Sequence, residues 1–185
     1  NEASGNYSHA EGYWTGARGD YSHAEGYGAH GRGNSSHAEG YNTGANGNYS
    51  HTEGNSTEAI GESSHAEGYN TVALGNYSHA EGNDTRANGN NSHAEGNYTE
   101  ANGNNSHAEG ICTTASGDYQ HVQGKYNIED TDGAYAHVVG NGNSVYNRSN
   151  AHTLDWDGNA WYAGSVEATA IILKSSTEGS TKRFK

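Results

Sequence analysis

The chain lacks proline and methionine, and it holds one cysteine and one phenylalanine. A lone Cys112 excludes a disulfide framework within one chain, and its Thr-like slot in a repeat marks it as incidental. Cations are scarce: nine Lys and Arg stand against 22 Asp and Glu, for a net charge of −13. That balance argues against a nucleic-acid partner, which needs a basic footprint. The one cationic cluster, Lys182-Arg183 with Lys185, reads as a solvated tail. No apolar run is long enough for a transmembrane helix, so no membrane insertion is expected of this stretch. Hydrophobic residues are 30% of the chain, against about 45–50% in a globular domain. A single copy of that composition cannot build an ordinary core that offsets its conformational entropy. Low hydrophobicity with high net charge would by itself signal disorder.

Strict periodicity overrides that signal. The pentapeptide Ser64-His65-Ala66-Glu67-Gly68 recurs along the chain, its histidines at His9, His23, His37, His51, His65, His79, His93, His107 and His121, always 14 residues apart. Each unit is two halves of one pattern, [Ser/Thr]-x-Ala-x-Gly-x-x, as in Ser64, Ala66, Gly68 and Thr71, Ala73, Gly75. Period two puts these small residues on one side of a β-strand. Five residues of strand and two of turn, repeated, predict a coil with two short strands, and stacked coils predict an all-β, two-sheet roll over residues 1–124. The interior is too thin for large side chains. The Gly ending each strand fits a tight corner, and Asp20, Asn34, Asn48, Asn76, Asn90 and Asn104 suit the turns. At roughly 4.8 Å per coil, nine coils make a rod of about 43 Å.

The two outer faces differ. One reads Tyr7-His9-Glu11-Tyr13, Tyr21-His23-Glu25-Tyr27 and so on, nearly unchanged from coil to coil. The other drifts: Gly16-Arg18, His30-Arg32, Glu58-Ile60, Val72-Leu74, Arg86-Asn88. A face that keeps bulky His and Glu through eight coils is expected to lie against something, most simply the same face of another copy of this chain. The expected interface is Tyr7, His9, Glu11, His23, Glu25, His37, Glu39, His51, Glu53, His65, Glu67, His79, Glu81, His93, Glu95, His107, Glu109 and His121.

Tandem Ser-x-Ala-x-Gly coils resemble the head repeats of YadA-like trimeric adhesins, usually Ser-Val-Ala-Ile-Gly. Glu58-Ala59-Ile60-Gly61 and Thr71-Val72-Ala73-Leu74-Gly75 are close to that form. The Ser-His-Ala-Glu-Gly version is similar to repeats in phage and prophage tail fibres. The resemblance covers residues 1–124, with His and Glu where adhesin heads often carry Val and Ile. It implies a left-handed parallel β-roll, a homotrimer and an extracellular fibre on a virion or cell surface, whose partner is a host glycan or protein receptor. The head of a bacterial surface adhesin is the alternative. An Asn1 start inside a repeat reads as a fragment of a longer fibre.

After Gly124 the register loosens into transition coils, 125–152. The next pentapeptide-like segments are Ala136-His137-Val138-Val139-Gly140 and Ala151-His152-Thr153-Leu154-Asp155, each spaced more widely than the repeat and not equally. Val122 and Val138 fill the small slot, so the interior should widen, and Asn127 to Asp132 are expected to protrude as a loop. From 153 to 185 the signal is a C-terminal β-hairpin turning at Asp157-Gly158-Asn159, with Trp156 and Trp161 packed together. Ala170-Ile171-Ile172-Leu173 reads as a last strand, and 175–185 as a polar tail.

Histidines one coil apart should stack about 4.8 Å apart. Around a three-fold axis, His9, His23, His37, His51, His65, His79, His93 and His107 could form imidazole rings that hold a metal. The plainer expectation is that each His bonds a Glu, Tyr or Ser of a neighbouring chain, with no cofactor and no resident metal. The Glu ladder would repel itself unless His takes up protons. Asp155-Trp156-Asp157-Gly158-Asn159 echoes an EF-hand loop but lacks its closing Glu and reads as a turn. A Ca²⁺ roll of RTX type has a different repeat length, and an ice-binding surface needs a regular Thr array; neither fits. No nucleophile motif stands out, and His and Glu that repeat in every coil are unlike a unique active site, so an enzyme is not expected. A glycan-processing tail enzyme is the alternative from another class.

Overall fold

The structure, a computed structural model, describes residues 1–165, which hold strands and turns and no helix. Each repeat unit closes one coil of a β-solenoid. The strand His65–Tyr69 lies parallel between His51–Asn55 and His79–Asn83, so that His stands over His and Glu over Glu. Across the interior, Val72–Ala73 lies parallel between Glu58–Ala59 and Arg86–Ala87. Nine such short strands, from Glu2–Ala3 to Thr114–Ala115, form one sheet, and the His-Glu strands form the backbone of the other.

The two halves of a coil are unequal, where the pattern predicts strands of equal length. The second strand stops after Val72 and Ala73 because the backbone turns early: the amides of Leu74 and Gly75 both donate to the Ala87 carbonyl, at 2.8 and 3.2 Å. The interior follows the small-residue pattern closely. Ser64, Ala66, Thr71 and Ala73 are buried, and apart from Val122 and Val138 every buried apolar side chain among the described residues is alanine. Gly68 departs from it: it is exposed, because the strand has already reached the corner. There φ is +104°, and an added Cβ would stand 2.2 Å from the Gly82 carbonyl oxygen, so only glycine fits.

The corners hold a second regularity. Every seventh residue is left-handed, as at Ser63 (φ 53°), Asn70 (54°), Tyr77 (59°) and Asp84 (53°). From Tyr7 to Tyr126 only Gly28 along this series is a glycine; the rest accept a conformation that L-residues enter at a cost of about 1 kcal/mol or more. Interior hydrogen bonds recover part of that cost: the Ser64 hydroxyl and amide both donate to the Gly61 carbonyl. Asn side chains tie coil to coil at the same corner. The amide of Glu62 donates to Asn76 Oδ1, that of Asn76 to Asn90 Oδ1, and that of Asn90 to Asn104 Oδ1, at 2.9–3.0 Å.

The register shift after Gly124 is absorbed without breaking the long sheet. Tyr135–Asn141 pairs parallel with His121–Lys125, matching His137 to His121 and Val138 to Val122. The inserted segment does not simply protrude. Asn127 is fully buried, and its amide stands in for the coil that would come next: Oδ1 accepts from the Thr114 amide at 2.8 Å and Nδ2 donates to the Thr114 carbonyl at 3.0 Å. Asp130 also turns inward, accepting from Gln120 Nε2 and the Tyr135 amide, both at 2.8 Å. Ile128, Glu129, Thr131 and Asp132 stay exposed.

Asn150–Asp155 then pairs antiparallel with both Tyr135–Asn141 and Ala160–Tyr162. The Asp155 carboxylate closes the intervening turn on itself, accepting from the amides of Asp157 and Asn159 at 3.0 and 2.7 Å. Its Oδ2 takes the Asn159 side chain, which leaves the carboxylate committed to the turn. The two tryptophans do not pack together as expected. Trp156 donates to the Gly133 carbonyl at 2.9 Å, while Trp161 stands opposite Thr153 in the strand pair. The expected strand Ala170 to Leu173 and the tail 175–185 lie outside the described residues.

Candidate functional site

Pleating decides which side chains form the site. In His65–Tyr69, Ala66 points inward, and His65 and Glu67 point outward and are half-buried. Parallel in-register pairing repeats that choice in the next coil, so the outward residues line up in two stripes. From His23 to His121 the imidazoles stack face to face, with ring centroids 4.7–4.9 Å apart and planes within 12°. His9 breaks the order at the first coil, meeting His23 edge-on. His137 and His152 carry the row into the irregular coils with tilted rings, ending on Tyr162 at 4.6 Å.

Five glutamates of the stripe sit beside the histidine of the following coil. Nε2 of His51, His79, His93, His107 and His121 lies 3.6, 3.9, 3.6, 3.4 and 3.5 Å from a carboxylate oxygen of Glu39, Glu67, Glu81, Glu95 and Glu109. In the first coils the partner is in the same strand: His9 with Glu11 at 3.3 Å and His23 with Glu25 at 3.9 Å. These contacts all lie within one chain. Apart from His9–Glu11 these contacts miss hydrogen-bond geometry, and Nε2 of every stacked histidine from His23 to His121 is shielded from solvent with no partner.

Along the glutamates runs a groove of about 700 Å³, floored by the corner glycines from Gly40 to Gly96. Neighbouring carboxylates one coil apart repel by about 1 kcal/mol with water-like screening and about 3 kcal/mol at the screening typical of a protein surface. Burial, with the like charges of His65 and His93, holds the His79 imidazole below its ordinary pKa and outweighs the pull of Glu67 and Glu95. Glu95 is held below the carboxylate range chiefly by the Glu81 carboxyl, with help from His93 and His107. Among the described residues, six groups of side chains bring ligand atoms within 4.8 Å of one another, and the five from Glu25–His37–Glu39 to Glu81–His93–Glu95 are each a histidine and two glutamates.

The structure thus gathers His9 to His121 and Glu11 to Glu109 onto one strip. Tyr7 is not on it: it occupies a left-handed corner, 85% exposed, stacked on Tyr21. A feature the sequence reading missed is the exposed aromatic stack of Tyr13, Trp14, Tyr27 and Tyr41, with rings 5.0–5.4 Å apart along the same edge. Its signal was available, since Tyr closes the His-Ala-Glu-Gly run in these coils. No protein-family model matches the chain, and the search of curated proteins finds no match either.

Proposed function

We propose that this chain is a structural and adhesive fibre segment: a left-handed β-roll that assembles as a homotrimer in an extracellular fibre such as a phage or prophage tail fibre. In this reading the roll is a rigid spacer that presents a surface to a host glycan or protein. The observation that carries it is the asymmetry of the two outer faces. The strip of His and Glu repeats from coil to coil, whereas the opposite sheet varies from Gly44 to Glu58 to Val72 to Arg86 at equivalent positions. A solvated face drifts freely, and a face that mates with a copy of itself does not.

Energetics point the same way. An alanine-lined interior buries little apolar area per coil, and the large apolar side chains, among them Tyr13, Tyr27, Tyr41 and Tyr69, stand more than 40% exposed in the single chain. Packing them between copies would add the stabilisation that the interior does not supply. The measurement that tests this is solution mass by light scattering, expected at three times the mass of one chain. A single-chain mass would overturn the assembly.

A further inference from the structure

We propose that the His–Glu strip is a row of binding sites for divalent transition-metal ions of the Zn²⁺ kind, each built from one imidazole and two carboxylates of adjacent coils. It goes beyond the fibre reading and does not need it, because all the ligands of a set belong to one chain.

Three independent features converge. The first is ligand geometry. Two donors at about 2.1 Å from a tetrahedral ion lie about 3.4 Å apart. His51 Nε2 and Glu39 Oε1 are 3.6 Å apart, as are His93 Nε2 and Glu81 Oε1. The third donor is the glutamate of the histidine's own coil, as Glu53 is in Glu39–His51–Glu53, and the three atoms lie within 4.8 Å of one another. A shift of about 1 Å in one flexible carboxylate completes the set.

The second feature is the histidine nitrogen itself. A shielded Nε2 facing two carboxylates without a hydrogen bond is an unmet polar atom, and it recurs from His37 to His93. One such atom would be a local accident; a repeated one marks a recurring unfilled space beside the carboxylates. The third is charge. Stacked glutamates need a counter-charge, and among the described residues no Lys or Arg stands beside them from Glu25 to Glu95: Arg18, Arg32 and Arg86 belong to the opposite sheet and its margin, and Lys125 closes the strand of His121. Mixed nitrogen and oxygen donors favour Zn²⁺, Ni²⁺ or Co²⁺ over Ca²⁺ or Mg²⁺, which take oxygen alone. The glycine floor leaves the fourth position open to water from the groove.

Each glutamate serves two neighbouring sets, so adjacent sets compete. Two dications one coil apart repel strongly, and alternate occupancy of the six sets gives about three ions per chain.

The test is equilibrium dialysis of the whole chain against Zn²⁺ with elemental analysis, and Co²⁺ substitution read by visible absorption. The triple variant Glu39→Gln, Glu67→Gln, Glu95→Gln removes a carboxylate from all five named sets without changing shape. Bound Zn²⁺ is expected to fall from about three ions to at most one per chain. A control with the same loss of charge off the strip, Glu58→Gln, Glu62→Gln, Glu100→Gln, is expected to bind as the parent does. Equal loss in both variants would reduce the effect to general acidic attraction and overturn the proposal, as would no binding by the parent. Should the triple variant fail to fold, the parent's Co²⁺ spectrum decides: imidazole ligation upholds the proposal and oxygen-only ligation refutes it. Mass measured in the same samples with and without chelator keeps this result separate from assembly, since the ions are expected on one copy or three.

Discussion

Replacing Gly68 with alanine tests the reasoning about the corners most directly. Two costs fall on that one methyl group. Its backbone sits at φ +104°, where an L-residue is strained by about 1–3 kcal/mol. Its Cβ would stand 2.2 Å from the Gly82 carbonyl oxygen, a clash with backbone that no rotamer relieves; forcing such a contact costs about 1–3 kcal/mol more. Together they predict a loss of about 2–6 kcal/mol, or a melting point lower by roughly 10 °C in a chain of this size. The comparison variant is Gly28→Ala, also left-handed at φ +67° but with its nearest neighbour, Asn42 Cα, at 3.6 Å. It carries strain without the clash and should cost about 1 kcal/mol. Circular dichroism melts of both, with hydrogen exchange to localise the damage to the coils around residue 68, are the assay. If the two variants melted together, close inter-coil backbone approach would not be what selects glycine.

Other outcomes follow from the same structure. Ser63→Val changes an exposed residue, yet a β-branched side chain at φ 53° should cost about 1–3 kcal/mol by urea unfolding; Ser63→Asn should be nearly neutral. Asn127→Ala leaves the Thr114 amide and carbonyl unpaired under cover, and should cost about 2–4 kcal/mol and speed exchange at Thr114 while sparing the amide of Glu58. In chelated protein, stability should fall on acidification. The folded pKa of His79 lies below its ordinary 6.5, so the unfolded chain binds more protons in between, and stability is whole above 6.5 and lost on the way down. Glu95, also depressed, adds a loss of the same sign below 4.5. Urea midpoints that do not move between about pH 7.5 and 4 would contradict both shifts.

What could be read from the residues was whatever repeats by residue type. Ser, Ala, Thr and Gly at alternate positions foretold the coil, its thin interior and the two unlike faces, because burial there tolerates only small volumes. The left-handed corner every seventh residue escaped notice because its occupants share no chemistry: Tyr, Trp, Ser, Asn, Asp and Cys all take it, and from Tyr7 to Tyr126 only Gly28 carries the usual signal. The shortness of Val72–Ala73 depends on one carbonyl, that of Ala87, accepting two amides, which no pattern announces. Asn127 looked like a loop residue by composition, and its role as a stand-in for backbone depends on where the chain folds back. The approach of His107 to Glu95, in the coil before, needs the stagger between coils, which the spacing of residues along the sequence does not give.

In-register stacking also makes length a modular quantity. Each coil of the roll pairs with the coil before and the coil after at a fixed repeat spacing, so a block such as 62–75 can be removed or duplicated without altering any corner, ladder or end. Each such edit changes the reach of the rod by one strand spacing, about 4.8 Å, and lengthens or trims the histidine row by one imidazole. Evolution or a designer can therefore set how far the far end stands from its base by counting repeats, leaving the Asn127 closure and the strands beyond it as they are.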